Sequence, residues 1–306
     1  MKKIITTNKG NSEHKNQRLS AFSLIELSIV ILIIGIIIAG VTQGSRLVRQ
    51  FKLSSAKTLT NSSPVASVKG LVMWLEPTLD DSIPEAQAEE GVAVTQWNTT
   101  NPQSSDRYYA ANADTETSPT YSDKGGPNGL PSLLFDGTQF LNLASDAGGL
   151  IPVAFSTDQS AFTFFFVSQP TAVPGGGITR FVFENGTGSW QYYEAVNVYG
   201  ITGPAAGAWD GNRDMTTAPR VIAGSYNGSV VRAFYNGVND SNDTPVASIP
   251  APAAGTSFRI GVNAAEEHVM LSYISEIIVF DRALKTEERQ SIEDYLGKKY
   301  AIKITH

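Results

Sequence analysis

Asp210, Asn212 and Asp214 stand at alternate positions in Trp209-Asp-Gly-Asn-Arg-Asp214, the spacing with which an oxygen-ligand calcium loop begins. The central glycine and the closing glutamate of such a loop are missing, and turns rich in Gly, Asn and Asp carry the same triplet. Calcium is a candidate cofactor here, with a plain turn as the competing reading. Asn239-Asp-Ser-Asn-Asp243 repeats the pattern more weakly. A retaining glycosidase needs two carboxylates on one face, ~5–5.5 Å apart. The nearest acidic strand, Glu276-Ile-Ile-Val-Phe-Asp281, spaces its acids five residues apart, so they face opposite sides and are read as structural. Neither a G-x-S-x-G elbow nor a phosphate-binding loop occurs. The chain has no cysteine, and its histidines are His14, His268 and His306. Thiolate chemistry is excluded, no catalytic residue is assigned, and the expectation is a chain that is not an enzyme. Sugar stacking would fall to Trp97, Trp190, Tyr192, Tyr193 or Trp209, although core packing suits each of them better.

These residues need a scaffold, and 306 residues with 42% hydrophobic content are enough for one. Charge is distributed unevenly. Residues 1–21 carry five basic side chains against Glu13, and residues 22–69 carry five against Glu26. With −6 overall, residues 70–306 hold a net charge of −14. A domain this acidic repels phosphate backbones, so nucleic acid is not an expected partner.

Residues 22–41 read FSLIELSIVILIIGIIIAGV, twenty residues whose one charge is Glu26. As a helix this spans ~30 Å, the thickness of a hydrocarbon core. The polar, basic leader keeps residues 1–21 in the cytoplasm and places the bulk of the chain across the membrane. A carboxylate inside the bilayer costs about 2.5–3.5 kcal/mol and calls for a partner. Ala21-Phe22-Ser-Leu-Ile-Glu26-Leu, followed by the apolar helix with Gly35, resembles the prepilins of type IV pili and the pseudopilins of type II secretion. The resemblance implies cleavage between Ala21 and Phe22 by a prepilin peptidase, N-methylation at Phe22, and Glu26 as the assembly residue. Ala21 stands where the family more often has Gly. Pairing the Phe22 amine of one subunit with Glu26 of the next would relieve two buried charges at once. Gly40 and Gly44 are the points where the helix would bend, and they also read as a helix-contact motif. Leu47, Val48, Phe51 and Leu59 extend the helical stripe, with Arg46, Arg49, Lys52 and Lys57 on a solvated face, until Pro64.

From Gly70 the pattern changes to short β-branched and aromatic runs between turn residues. Strands are expected at 71–75, 132–135, 140–143, 162–168, 180–184, 190–198, 220–226, 229–235, 258–262 and 269–280. Asn227-Gly228 and Asn236-Gly237 signal type I′ hairpins. A final helix follows, capped by Thr286, with Ile292, Tyr295 and Leu296 buried and Lys298 and Lys299 suited to its carboxyl end. The expected fold class is an N-terminal transmembrane helix followed by a two-sheet antiparallel jelly-roll with a short C-terminal helix. Gly70-Leu-Val-Met-Trp-Leu75, residues 128–137, the pair Ser225-Tyr-Asn-Gly228 and Phe234-Tyr-Asn-Gly237, and residues 275–284 with Tyr295-Leu resemble bacterial laminin-G-like domains of the concanavalin A-like superfamily.

The organisation expected is a leader at 1–21, a pilin-type helix at 22–60, a linker at 61–69 and a laminin-G-like sandwich at 70–306. The two resemblances together imply a single-pass protein of the bacterial cytoplasmic membrane. Its sandwich would lie outside that membrane, and its helix would join other pilin subunits in a filament. The displayed domain would bind a surface glycan or protein. The alternatives are a pseudopilin of a secretion fibre and an anchored lectin-like domain that does not assemble.

Overall fold

The computed structural model describes residues 23–104, 107–146, 161–173, 180–184, 191–194, 198–203, 206–212, 215–241, 243, 245, 246, 249, 258–262 and 270–306. The chain divides into two compact units, residues 1–48 and 49–306. Helix α1 (Leu24–Asn61) is continuous across Gly40 and Gly44, so neither glycine breaks it. Its residues 24–41 are overwhelmingly apolar and all exposed, and the helix is long and apolar enough to cross a membrane.

The second unit is a β-sandwich. Its strands are β1 (Leu71–Leu75), β2 (Gln96–Asn98), β3 (Tyr108–Ala111), β4 (Thr120–Ser122), β5 (Ser132–Asp136), β6 (Leu141–Ser145), β7 (Phe162–Pro170) and β8 (Arg180–Glu184). They continue with β9 (Gln191–Glu194), β10 (Val198–Gly203), β11 (Ala206–Asn212), β12 (Arg220–Tyr226), β13 (Val231–Tyr235), β14 (Val238–Asn239), β15 (Arg259–Ile260) and β16 (Leu271–Phe280). Helix α2 (Thr286–Tyr300) closes the chain. One antiparallel sheet has the order β14-β13-β12-β7-β16-β5-β4, with β1 also on β16; the other runs β11-β10-β9-β8-β15-β6-β3-β2. The jelly-roll expectation holds.

Central strand β7 explains why three layers form rather than two. Phe162, Phe164 and Phe166 point into the sandwich, where Tyr192 of the other sheet lies 6.0 Å from Phe164 and 5.8 Å from Phe166. Phe165 and Val167 point the other way, into a second core with Trp74, Ile278, Phe280, Ile292 and Leu296. A strand buried on both faces needs cover on both, and α2 with the last turns of α1 supplies it. Of the expected stripe, Leu59 packs against this core beside the buried Ala56 and Thr60, whereas Leu47, Val48 and Phe51 are exposed.

Local turn chemistry is resolved residue by residue. Asn236 and Gly237 both have positive φ, as a type I′ turn requires, and join β13 to β14. At Asn227-Gly228 only the glycine does; the Asn227 side chain instead accepts the N–H groups of Ser229 and Val230, forming a longer loop. Gly70 has φ +86°, and a Cβ there would lie 2.4 Å from the Asp281 carboxylate, so the start of β1 admits no side chain.

Helix α2 begins one residue earlier in its capping than expected. Lys285, not Thr286, is the cap residue, and its N–H donates to the Glu288 carboxylate at 2.9 Å. Arg282 grips the same carboxylate at 2.7 and 2.8 Å and holds its pKa down to about 2. A depressed carboxyl stabilises the fold above its unfolded value and loses that contribution as pH falls through the folded one. Acid titration of melting temperature is expected to show a loss between about pH 4.5 and 2 that Glu288→Gln removes. The pair is about 30% exposed, so its size is about 0.2–1 kcal/mol.

Candidate functional site

The N-terminal helix presents Glu26 in its first turn, three residues after the first described residue. Its carboxylate accepts the Ser23 N–H at 3.0 Å, satisfying one of the donors that a helix start leaves open. Ala21 and Phe22 lie outside the described residues, as does Asp214. Asp210 and Asn212 sit within strand β11, opposite Gly200 and Val198 of β10, rather than in a loop. No group of three His, Cys, Asp or Glu side chains that would hold a metal is found among the described residues.

Two of the aromatic candidates are removed from any surface. Trp97 and Tyr192 are fully buried in the inter-sheet core, because the short strands β2 and β9 turn those positions inward. Trp190 lies outside the described residues.

The basic residues at the end of α1 make specific bonds within the second unit rather than facing solvent alone. Arg49 pairs with Asp123 at 2.5 Å, Lys57 pairs with Asp80, and Lys52 donates to the Asn128 carbonyl at 3.0 Å. Lys57, Asp80, Leu53, Glu85 and Tyr121 line a cleft of about 670 Å³ beside this helix. It is open, and the Lys57–Asp80 pair on its wall has a solvent-exposed carboxylate.

The densest chemistry lies under the sandwich, in a cluster the spacing did not announce. Lys299, in the last turn of α2 as expected, is fully buried. Its ammonium donates to Glu76 at 2.5 Å and to Glu276 at 2.9 Å, and both carboxylates are also fully buried. Glu276 further accepts from the Trp74 indole at 2.7 Å and from the Tyr295 and Tyr300 hydroxyls, each at 2.9 Å. Glu76 accepts the N–H groups of Thr78 (3.0 Å) and Leu79 (2.6 Å) and the Thr78 hydroxyl (2.5 Å). Thr60 of α1 reaches the cluster through the Tyr295 hydroxyl, 3.2 Å away.

Two carboxyl groups and one amine thus share a site closed to solvent. Burial pushes the Glu276 carboxyl up, partly offset by Lys299. Burial also raises the Tyr295 and Tyr300 phenols well above their ordinary range, and Glu276 adds to both. Desolvation alone would lower Lys299, but the two carboxylates reverse it and keep the ammonium charged. Sequence reading reached Glu276 as structural. Glu76 and Lys299 lacked any signal beyond being charged residues next to Leu75 and Tyr300.

No family model and no curated protein matches the chain. Among solved structures, domain 4 of AbnA, a GH43 extracellular arabinanase from Geobacillus stearothermophilus, in complex with arabinotriose, has TM-score 0.47 at 15% identity, covering 74% of this chain and 97% of that one. Trypanosoma rangeli sialidase in complex with the inhibitor DANA has TM-score 0.48 at 13% identity, over 80% of this chain and 38% of the sialidase. The binding domain of botulinum neurotoxin DC in complex with SialylT has TM-score 0.40 at 10% identity, over 74% and 52%. The chain thus spans well under half of the sialidase, and no residue role passes to it from these structures.

Proposed function

We propose that the chain is a pilin-like, membrane-anchored subunit that displays its β-sandwich for adhesion to a glycan or protein surface and performs no catalysis. The observation that carries this reading is the helix over residues 24–41, overwhelmingly apolar and wholly exposed, with Glu26 as its one charge. A helix without a polar face has no stable place in water, and a bilayer or a bundle of like helices supplies the missing cover. The basic residues before it favour a cytoplasmic N-terminus. Glu26 is the residue through which neighbouring subunits would register, its partner being the amine released at Phe22 by a prepilin peptidase.

A second reading, an anchored sandwich that does not assemble, is favoured by one contact: Glu26 already caps its own helix through Ser23. Mass analysis of the N-terminal peptide from membranes of the source cells separates the two. A chain starting at N-methylated Phe22 is expected; one retaining residues 1–21 would leave only the anchor. Glu26→Ala is expected to remain in the membrane fraction while its filament content falls at least roughly tenfold, since its ion pair spans a low-dielectric region. Unchanged filament content would remove the assembly role.

A further inference from the structure

The buried cluster holds every group needed to join two of its side chains covalently. We propose that Lys299 Nζ and the Glu76 side-chain carboxyl form an intramolecular isopeptide bond, with Glu276 carrying the protons. The reading is independent of membrane anchoring and filament assembly.

The amine is the nucleophile and must lose a proton to act. Glu276 Oε2 lies 2.9 Å from it and is the acceptor at hand. Burial, which raises the Glu276 carboxyl, suits it to hold that proton. The electrophile is Glu76, whose Oε2 is 2.5 Å from the amine. Attack on its carboxyl carbon drives negative charge onto Oε1, and Oε1 already accepts two backbone N–H groups, from Thr78 at 3.0 Å and Leu79 at 2.6 Å. Paired main-chain donors aimed at one oxygen are the arrangement that stabilises a tetrahedral oxyanion. Oε2 is the leaving oxygen, and the Thr78 hydroxyl donates to it at 2.5 Å.

Atoms and charge balance without a further reagent. The N–C bond forms and the C–Oε2 bond breaks. Of the three ammonium protons, one stays on the amide nitrogen and two leave with Oε2 as water, passing through Glu276, which returns to carboxylate. The net charge is minus one before and after. Complete burial of all three side chains keeps bulk water from reversing the step, and the fixed geometry replaces an encounter between free groups.

The bond would brace the start of the sandwich. Among the described strands β1 pairs with β16 alone, and residues 99–101 bond along its other edge. Glu76 follows β1 immediately, and Lys299 lies in α2, so the link ties the first strand to the last helix.

The test is mass spectrometry of the full chain in detergent, intact and after denaturing proteolysis. The expected result is a mass about 18 Da below that of the unlinked chain and a branched peptide joining Glu76 to Lys299. Lys299→Arg, which keeps the charge, is expected at full mass, and Glu276→Gln is expected to slow linkage by roughly 100-fold or more. A natural chain with Lys299 free overturns the proposal, and that result needs no variant to fold. A link to Glu276 instead of Glu76, an equally light Lys299→Arg chain, or full linkage in Glu276→Gln overturns it as well.

Discussion

Measured against the unlinked chain, Lys299→Met is expected to lower the stability of the 49–306 unit by about 3–5 kcal/mol at neutral pH. The substitution keeps the bulk of the side chain but leaves Glu76 and Glu276 buried together without a cation. Removing one partner of a buried pair is costly because the other stays desolvated, whereas removing the whole charged set is nearly neutral. Lys299→Met combined with Glu276→Gln should therefore recover part of the loss, since a neutral amide oxygen still accepts from Trp74 and the two tyrosines. The pH dependence has a definite sign. Without Lys299, the Glu276 carboxyl, already raised by burial, rises further, and a raised folded-state pKa confers stability below the unfolded value that is lost as pH climbs through the folded one. The defect should thus be smaller at pH 4 than at pH 7. Urea midpoints of the detergent-solubilised chain at those two pH values check it, and an equal defect at both would deny Glu276 its part.

Trp97→Ala carries the other large effect, about 3–5 kcal/mol from lost burial and the cavity left behind. Trp97 is fully buried between the sheets, packed with the inter-sheet core that includes Phe135 and Leu143. Its indole N–H has no hydrogen-bond partner among the described residues. A buried donor left unpaired costs about 1–3 kcal/mol, so Trp97→Phe gives back part of what its smaller ring loses and should be much milder than alanine. In a domain of this size the alanine loss corresponds to a fall in melting temperature on the order of 10 °C. A Trp97→Ala protein that melts normally yet loses sugar binding would restore the surface role that burial takes from this residue.

The contrast between these two residues shows where sequence information ends. Trp97 was legible as an aromatic, and the choice between a sugar platform and core was decided only by strand β2, three residues long and too short to show an alternation. Strands β3 and β4, of four and three residues, escaped for the same reason. Residues 190–198 read as one strand, yet the chain there contributes β9 and the start of β10, which pair with each other. Asp210 and Asn212 read as loop residues because Gly and Asn prefer turns, and pairing with β10 overrode that preference.

By itself, the sequence determined what depends on neighbours a few residues away. The twenty-residue apolar run marks a helix long and apolar enough to cross a membrane; alternation and β-branching mark Arg180–Glu184 and Arg220–Tyr226 to the residue; positive φ at Asn236-Gly237 closes a hairpin. Only the tertiary structure decided which charges are buried. Glu76 and Lys299 are 223 positions apart, and Lys299 looks like any basic residue at a helix end. Side-chain chemistry sets what a residue does once neighbours are present, but long-range strand pairing chooses those neighbours, and burial then turns an ordinary lysine into the centre of the cluster.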